Sequence, residues 1–155
     1  MIAVVQRVSS ASVTIDDPPH HDEIEHGMLV LLGVEDGDTE AEADWMAAKL
    51  TRLRIFRDDE DRMNRSVLDV GGGILIVSQF TLLGDASKGH RPSFIKAAAP
   101  EVGQRLYDLV VERLQGVDGL PMGTGVFGAM MQVSLVNDGP VTLIVNTPAS
   151  LRTRA

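Results

Sequence analysis

A chain of 155 residues, 44% hydrophobic and 23% charged, has the size and composition of one globular domain that buries roughly two thirds of its unfolded surface. It contains no cysteine, which excludes disulfides, thiolate metal sites and thiol nucleophiles, and no apolar run reaches the ~20 residues of a membrane span. Its net charge of −8 excludes a uniformly basic nucleic-acid binder.

The charge is unevenly spread. Residues 1–50 carry 11 acidic and 2 basic side chains, and no Lys or Arg falls between Asp16 and Asp44. Five arginines lie from Arg52 to Arg65, and Lys88, His90, Arg91 and Lys96 share one polar segment. Contact with a polyanion would run through these patches; otherwise they only solvate the surface. The opening residues lack the basic start and cleavage site of a signal peptide, so a cytoplasmic address is expected.

In chain order, Ile2 to Val8 and Ala11 to Ile15 alternate as two strands separated by Ser9-Ser10. Asp16 to His26 is polar, contains Pro18-Pro19 and reads as a loop or hairpin tip. Met28 to Val34 is an apolar run of strand length. Thr39-Glu40-Ala41-Glu42 has the spacing of a capping box and opens a helix to about Phe56, with Met46, Leu50 and Leu53 inward. Arg57 to Asn64 is a charged turn region, and Gly71-Gly72-Gly73 leads into a strand from Ile74.

Pro100 is placed as the first residue of a second helix, striped by Val102, Leu106, Leu109, Val110 and Leu114. Gly116 to Gly128 is a glycine-rich connection. Gln132 to Asn137 and Val141 to Asn146 read as paired strands around an Asn-Asp-Gly-Pro turn, and Pro148 to Ala155 as a frayed polar tail. The order predicts an α+β domain: a largely antiparallel, β-barrel-like sheet with two packed helices.

Two polar strand ends interrupt apolar runs and carry the candidate chemistry. Ile74 to Val77 gives way to Ser78-Gln79-Phe80-Thr81-Leu82, and Met131 to Val136 gives way to Asn137-Asp138-Gly139-Pro140-Val141-Thr142. Ser78 or Thr81 could be a nucleophile, but a hydroxyl needs an adjacent base, and no nucleophile elbow surrounds Ser78. The competing reading of Thr81 is a satisfied structural hydroxyl. His20, His21, Asp22, Glu23 and His26 form the one cluster with metal-ligand residue types, in a loop without helical ligand spacing; no metal is expected. Gly139-Pro140 can aim successive carbonyls at one point, or can be an ordinary hairpin turn.

Several motifs together resemble the D-aminoacyl-tRNA deacylase family. They are Met1-Ile2-Ala3-Val4-Val5-Gln6-Arg7-Val8, Ser78-Gln79-Phe80-Thr81-Leu82, Arg91-Pro92-Ser93-Phe94 and the run Met131 to Thr142, in order and at family spacing over residues 1–146. The resemblance implies a single deacylase domain over 1–146 with a polar tail at 147–155. It also implies a cofactor-free homodimer that hydrolyses D-aminoacyl-tRNA and glycine mischarged onto tRNA.

It further implies that a Gly-cis-Pro motif at Gly139-Pro140 enters the partner subunit's pocket and excludes L-amino acids, with Arg7 bracing it. Phe94 and Met131 would wall the adenosine site. In the catalytic segment Ser78, Gln79, Phe80 and Thr81, the amides of Gln79 to Thr81 would be the donors, with the Thr81 hydroxyl assisting at most and help from the substrate's 2′-hydroxyl. Met130 departs from an acidic residue common in the family, and the 16–26 insert and the tail are unlike it. The alternatives are a chirality-relaxed deacylase with a trans bond, against which Arg7 argues, and a catalytically silent dimeric RNA-binding module. Replacing Lys88 and Arg91 together by alanine is expected to weaken tRNA binding and flatten its salt dependence; an unchanged slope rules that face out.

Overall fold

The computed structural model describes residues 1–152. Its framework is one long strand, β1 (Ile2–Ile15), against which three others pair antiparallel. Ala3 and Val5 are buried, then Arg7 and Val8 together, then Ala11, Val13 and Ile15. The break in alternation marks register shifts between Gln6 and Ser10, where β1 bends without ending. The two expected strands are thus one. The bend moves its buried side chains from a core shared with the helices (Met1, Ala3, Val5) to a second cluster (Val8, Ala11, Val13).

The first half of β1 pairs with β3 (Gly27–Gly33) and the second with β2 (His20–Ile24), which lies inside the segment read as a loop. Parallel pairing then adds β6 (Gly73–Ser78) to β3 and β7 (Met122–Thr124) to β6. β7 returns to β2: the Thr124 amide donates to Asp22 Oδ2 at 2.8 Å, and His20 Nε2 donates to the Thr124 carbonyl at 2.7 Å. The sheet is therefore nearly closed. His20 and Asp22 hold its seam, and among the described residues no three His, Asp or Glu are arranged to bind a metal ion.

The last strand, β8 (Gln132–Asn146), follows β1 around its bend. Residues 132–136 pair with Ser10 to Thr14 and residues 142–146 with Ile2 to Gln6. The Asn-Asp-Gly-Pro segment is consequently not the hairpin turn that the sequence suggests. Both halves of β8 find partners on β1, so they need not pair with each other.

Helix α1 (Glu40–Arg52) starts with the expected box: the Thr39 hydroxyl caps Ala41, and Glu42 returns a bond to the Thr39 amide at 2.8 Å. Burial opposes the charge of Glu42, but the bonds from Thr39 prevail and hold its carboxyl below the usual range. That contribution to stability is full above the unfolded carboxylate pKa and fades as the pH falls through the depressed folded value. The helix stops at Arg52 rather than near Phe56. Leu53 is already extended, and Ile55 and Phe56 are drawn into the core, Phe56 starting the small β4 (Phe56–Arg57) and β5 (Met63–Arg65) ribbon.

Helix α2 (Pro100–Gln115) has proline in its first turn and buries Leu106, Tyr107, Val110 and Leu114. Val102 stays out, 39% exposed. The Tyr107 hydroxyl donates to the Ile76 carbonyl at 3.0 Å, joining α2 to β6. A short α3 (Ala149–Arg152) follows β8; residues 153–155 of the predicted tail lie outside the described residues.

One buried ion pair closes the fold. The Met1 ammonium meets Asp38 at 2.7 Å with both side chains fully covered. Removing one member strands a charge that water cannot reach, which costs about 3–5 kcal/mol. Asp38→Ala is expected to lower the melting temperature by about 10 °C, read by thermal denaturation.

Candidate active site

Two groups of the sequence-identified residues form at opposite ends of the sheet. At the carboxyl end of β6, Ile74 to Val77 are buried while Ser78 and Gln79 emerge half-covered. The Gln79 amide donates to the Leu32 carbonyl at 2.8 Å, keeping register with β3 for one more residue. The chain then turns into a 3₁₀ turn, Phe80–Leu83, and not a continuing strand. Leu82 and Gly84 amides bond to the Gln79 and Thr81 carbonyls at 3.3 and 3.0 Å.

The amides of Phe80 and Thr81, first in the turn, have no partner in it. The Gln79 side-chain amide donates to the Thr81 hydroxyl. Among the described residues, no histidine or carboxylate hydrogen-bonds to Ser78 or Thr81.

Phe80, 55% exposed, meets the edge of Phe94 with centroids 5.2 Å apart. Gly84 makes this possible, since a Cβ there would stand 2.8 Å from the Phe94 ring. Reciprocal backbone bonds between Asp85 and Ser93, at 2.8 and 2.9 Å, close the loop that carries Arg91 and Phe94. Met131, just before β8, rests in the dent at Gly125 and packs on the cluster containing Val77. Phe94 and Met131 are both at this end.

At the other end stands Arg7, only 3% exposed. Its Nη1 donates to the Ile55 carbonyl at 2.7 Å, and its Nε lies 2.8 Å from Asp138 Oδ2, a charge contact off the line of a hydrogen bond. The Asn137 side-chain amide donates to the carbonyls of Arg7 (3.2 Å) and Val141 (3.1 Å), spanning the base of the Asp138–Pro140 segment. Gly139 has φ +118°, a Cβ there would fall 2.9 Å from Arg7 Nη2, and its bond to Pro140 is cis. Asp138, Gly139 and Pro140 are all exposed.

The roles of Asn137, Asp138 and the Ile55 carbonyl escaped the sequence reading. The first two are polar neighbours of Gly-Pro and could have drawn attention; a carbonyl carries no sequence signal.

Register measures the gap. Ser78 is level with Leu32 and Ala3, whereas Arg7, beside Gly139, is level with Met28. Four strand residues amount to about 13 Å along the sheet. Within one protomer the Gly-Pro segment does not meet the Phe80–Thr81 amides.

Among the described residues, the domain thus offers two amides without a hydrogen-bond partner beside an exposed aromatic pair, donors that can hold a developing negative charge, and at its other end a glycine packed against a buried arginine. The comparisons give that arrangement its place. The family model described as D-Tyr-tRNA(Tyr) deacylase matches residues 4–146. Curated relatives called D-aminoacyl-tRNA deacylase, from Opitutus terrae and Chlorobaculum parvum, are 56% and 57% identical, each alignment covering 96% of this chain and 99% of the relative. A solved structure described as c-Myc DNA Unwinding Element Binding Protein superposes with TM-score 0.87 at 40% identity, over 96% of this chain and 100% of its own. One described as a probable eukaryotic D-amino acid tRNA deacylase shares the fold, with TM-score 0.76 at 20% identity. The chain belongs to the D-Tyr-tRNA(Tyr) deacylase family, and is thereby a hydrolase.

Proposed function

We propose that the protein hydrolyses the ester between a D-amino acid and the 3′-terminal adenosine of tRNA, in a site completed by a second copy of the chain. The observation that carries this reading is the pair of Phe80 and Thr81 amides, without a hydrogen-bond partner among the described residues, beside an exposed aromatic pair, with no histidine or carboxylate hydrogen-bonded to the Ser78 or Thr81 hydroxyl. Such donors suit a developing oxyanion. An aminoacyl ester is already activated, so positioned donors and the substrate's own 2′-hydroxyl replace an enzyme nucleophile. Gln79 contributes its side chain but not its backbone amide, which is taken by Leu32.

The second copy is needed because Gly139-Pro140 stands at the wrong end of its own protomer. Among the described strands β8 pairs only with β1, and Val136 and Ile144 along it are 58% and 66% exposed. A homodimer covers that face and carries the Gly-Pro carbonyls into the partner's pocket, toward the substrate's α-amino group. An L side chain would then point into backbone that cannot yield, while glycine has nothing to exclude and is also cleared. Phe94 and Met131 wall the adenosine. No cofactor takes part, and the substrate puts the enzyme in the cytoplasm.

The donor role is tested by Phe80→Pro, which removes one amide where proline is tolerated, at the start of a turn. The expected loss in kcat is about 10²–10³-fold, against a much smaller effect for Phe80→Ala, which keeps the amide. Equal rates for the two variants would contradict it. Thr81→Ala is expected to cost less than about tenfold, because the hydroxyl only assists. A silent nucleic-acid-binding module is the second reading, favoured by the printed name of the 40% identical structure; it predicts tRNA binding without ester loss.

A further inference from the structure

The five arginines from Arg52 to Arg65 do not form one basic surface. Arg57, Arg62 and Arg65 pair with Asp61, Glu60 and Asp59 at 3.2, 3.0 and 2.8 Å in and around the β4–β5 ribbon. On α1, Glu40 and Asp44 are taken by Arg105 and Arg113 of α2, each at 2.8 Å. In this region, the cations without an ion-pair partner among the described residues lie on the last two turns of α1 and just past its end. Trp45, Ala48, Lys49 and Arg52 recur at helical spacing and, with Leu53 and Arg54, line an open groove of about 300 Å³. Among the described residues, no carboxylate pairs with Lys49, Arg52 or Arg54.

The groove is built as well as charged. Lys49 Nζ sits 5.1 Å above the ring of Trp45, the chain's single tryptophan, which is itself anchored against the core. Arg54 Nε donates to the Asn64 carbonyl at 2.8 Å, fixing one guanidinium at the groove's edge. Its position matters too. Arg54 is followed directly by Ile55, whose carbonyl holds Arg7 beside Gly139. The groove therefore starts one residue from the brace of the Gly-Pro segment.

We propose that this groove docks the sugar–phosphate backbone of the tRNA whose acylated end occupies the pocket entered by Gly139-Pro140. The proposal rests on the deacylase reading and adds to it a tRNA path across the dimer: the protomer that lends Gly-Pro also grips the RNA. The chemistry favours a polyanion with flat faces. Three cations without an ion-pair partner among the described residues, in a chain of net charge −8, make a local excess of positive charge, and the tryptophan ring among them adds a flat apolar surface for a base or ribose. An acidic protein surface is the competing occupant.

The test uses the full chain with Lys49→Glu and Arg52→Glu together, both exposed positions, beside the charge-retaining pair Lys49→Arg and Arg52→Lys. Two readouts are taken: the Kd for uncharged tRNA across a salt series, and hydrolysis of D-tyrosyl adenosine, which has no phosphodiester. The reversed variant is expected to bind at least about tenfold more weakly. Its salt slope should fall by about 1.5, two phosphate contacts at 0.7–0.9 each. The charge-retaining pair should bind as the parent does, and the small ester should be cleaved at the parental rate by all three. Parental Kd and slope in the reversed variant overturn the proposal, as does a parent that does not bind tRNA; the first is also the result for an acidic protein occupant. Failure of the deacylase reading appears separately, as a small ester that the parent leaves intact.

Discussion

Gly139→Ala is expected to lower kcat/KM for D-aminoacyl-tRNA by at least about a hundredfold, some 2.7 kcal/mol of transition-state stabilisation. The position has φ +118°, where an L side chain is strained, and the added Cβ would stand 2.9 Å from both Arg7 Nη2 and a Val141 methyl. Neither neighbour can withdraw freely: Arg7 is bonded to Ile55, and Val141 is held through Asn137. The segment must shift, and its carbonyls with it. Stability should fall by only about 1–2 kcal/mol, because the segment is exposed and its strain is local. Steady-state hydrolysis of matched D and L esters, with a thermal melt on the same sample, separates the effects. A variant that keeps the full D rate and still spares the L ester contradicts this role.

Arg7→Ala should be harmful in two ways. Removing the guanidinium leaves the Ile55 carbonyl without its donor and Asp138 without its counter-charge, in a place that is closed to water on the Arg7 side. A loss of about 3 kcal/mol is expected, discounted from the fully buried case because Asp138 is 47% exposed. The Gly-Pro segment also loses the wall behind it, so discrimination between D and L esters should decline alongside the rate. Arg7→Lys restores a charge but not a fork that reaches Ile55 and Asp138 at once, and should recover stability better than selectivity. Denaturant unfolding and the D/L rate ratio measure the two. Unchanged selectivity in a folded Arg7→Ala dimer would show that Arg7 is only a structural cation.

Local rules were legible wherever local chemistry decides. Thr39 and Glu42 announce α1, Pro100 announces α2, and the alternation of Ile2 to Ile15 announces extended chain. The barrel-like α+β class follows from their order. The errors arise where tertiary partners supply the backbone with bonds. The α1 boundary was misplaced because Ile55 and Phe56 are apolar enough to continue a helix, yet the Ile55 carbonyl is claimed by Arg7 and Phe56 pairs with Arg65. Asn137 to Pro140 looks like a hairpin because turns use those residues, but β1 is bent enough to pair with both halves of β8. The candidate site was legible as residue types and not as an arrangement. The family resemblance implies that Gly139-Pro140 serves a partner's pocket, but no residue pattern of the chain itself shows that Ser78 to Thr81 and Gly139-Pro140 lie at opposite ends of one sheet. That separation follows from register, and it is the reason the proposed deacylase site draws on a second copy.

The most direct measurement is hydrolysis of matched D-Tyr-tRNA and L-Tyr-tRNA by the purified protein, with its oligomeric state determined at the assay concentration. The account predicts a dimer that rapidly releases tyrosine from the D ester and leaves the L ester to its spontaneous decay. A folded dimer that cleaves neither ester, or cleaves both at the same rate, would contradict it.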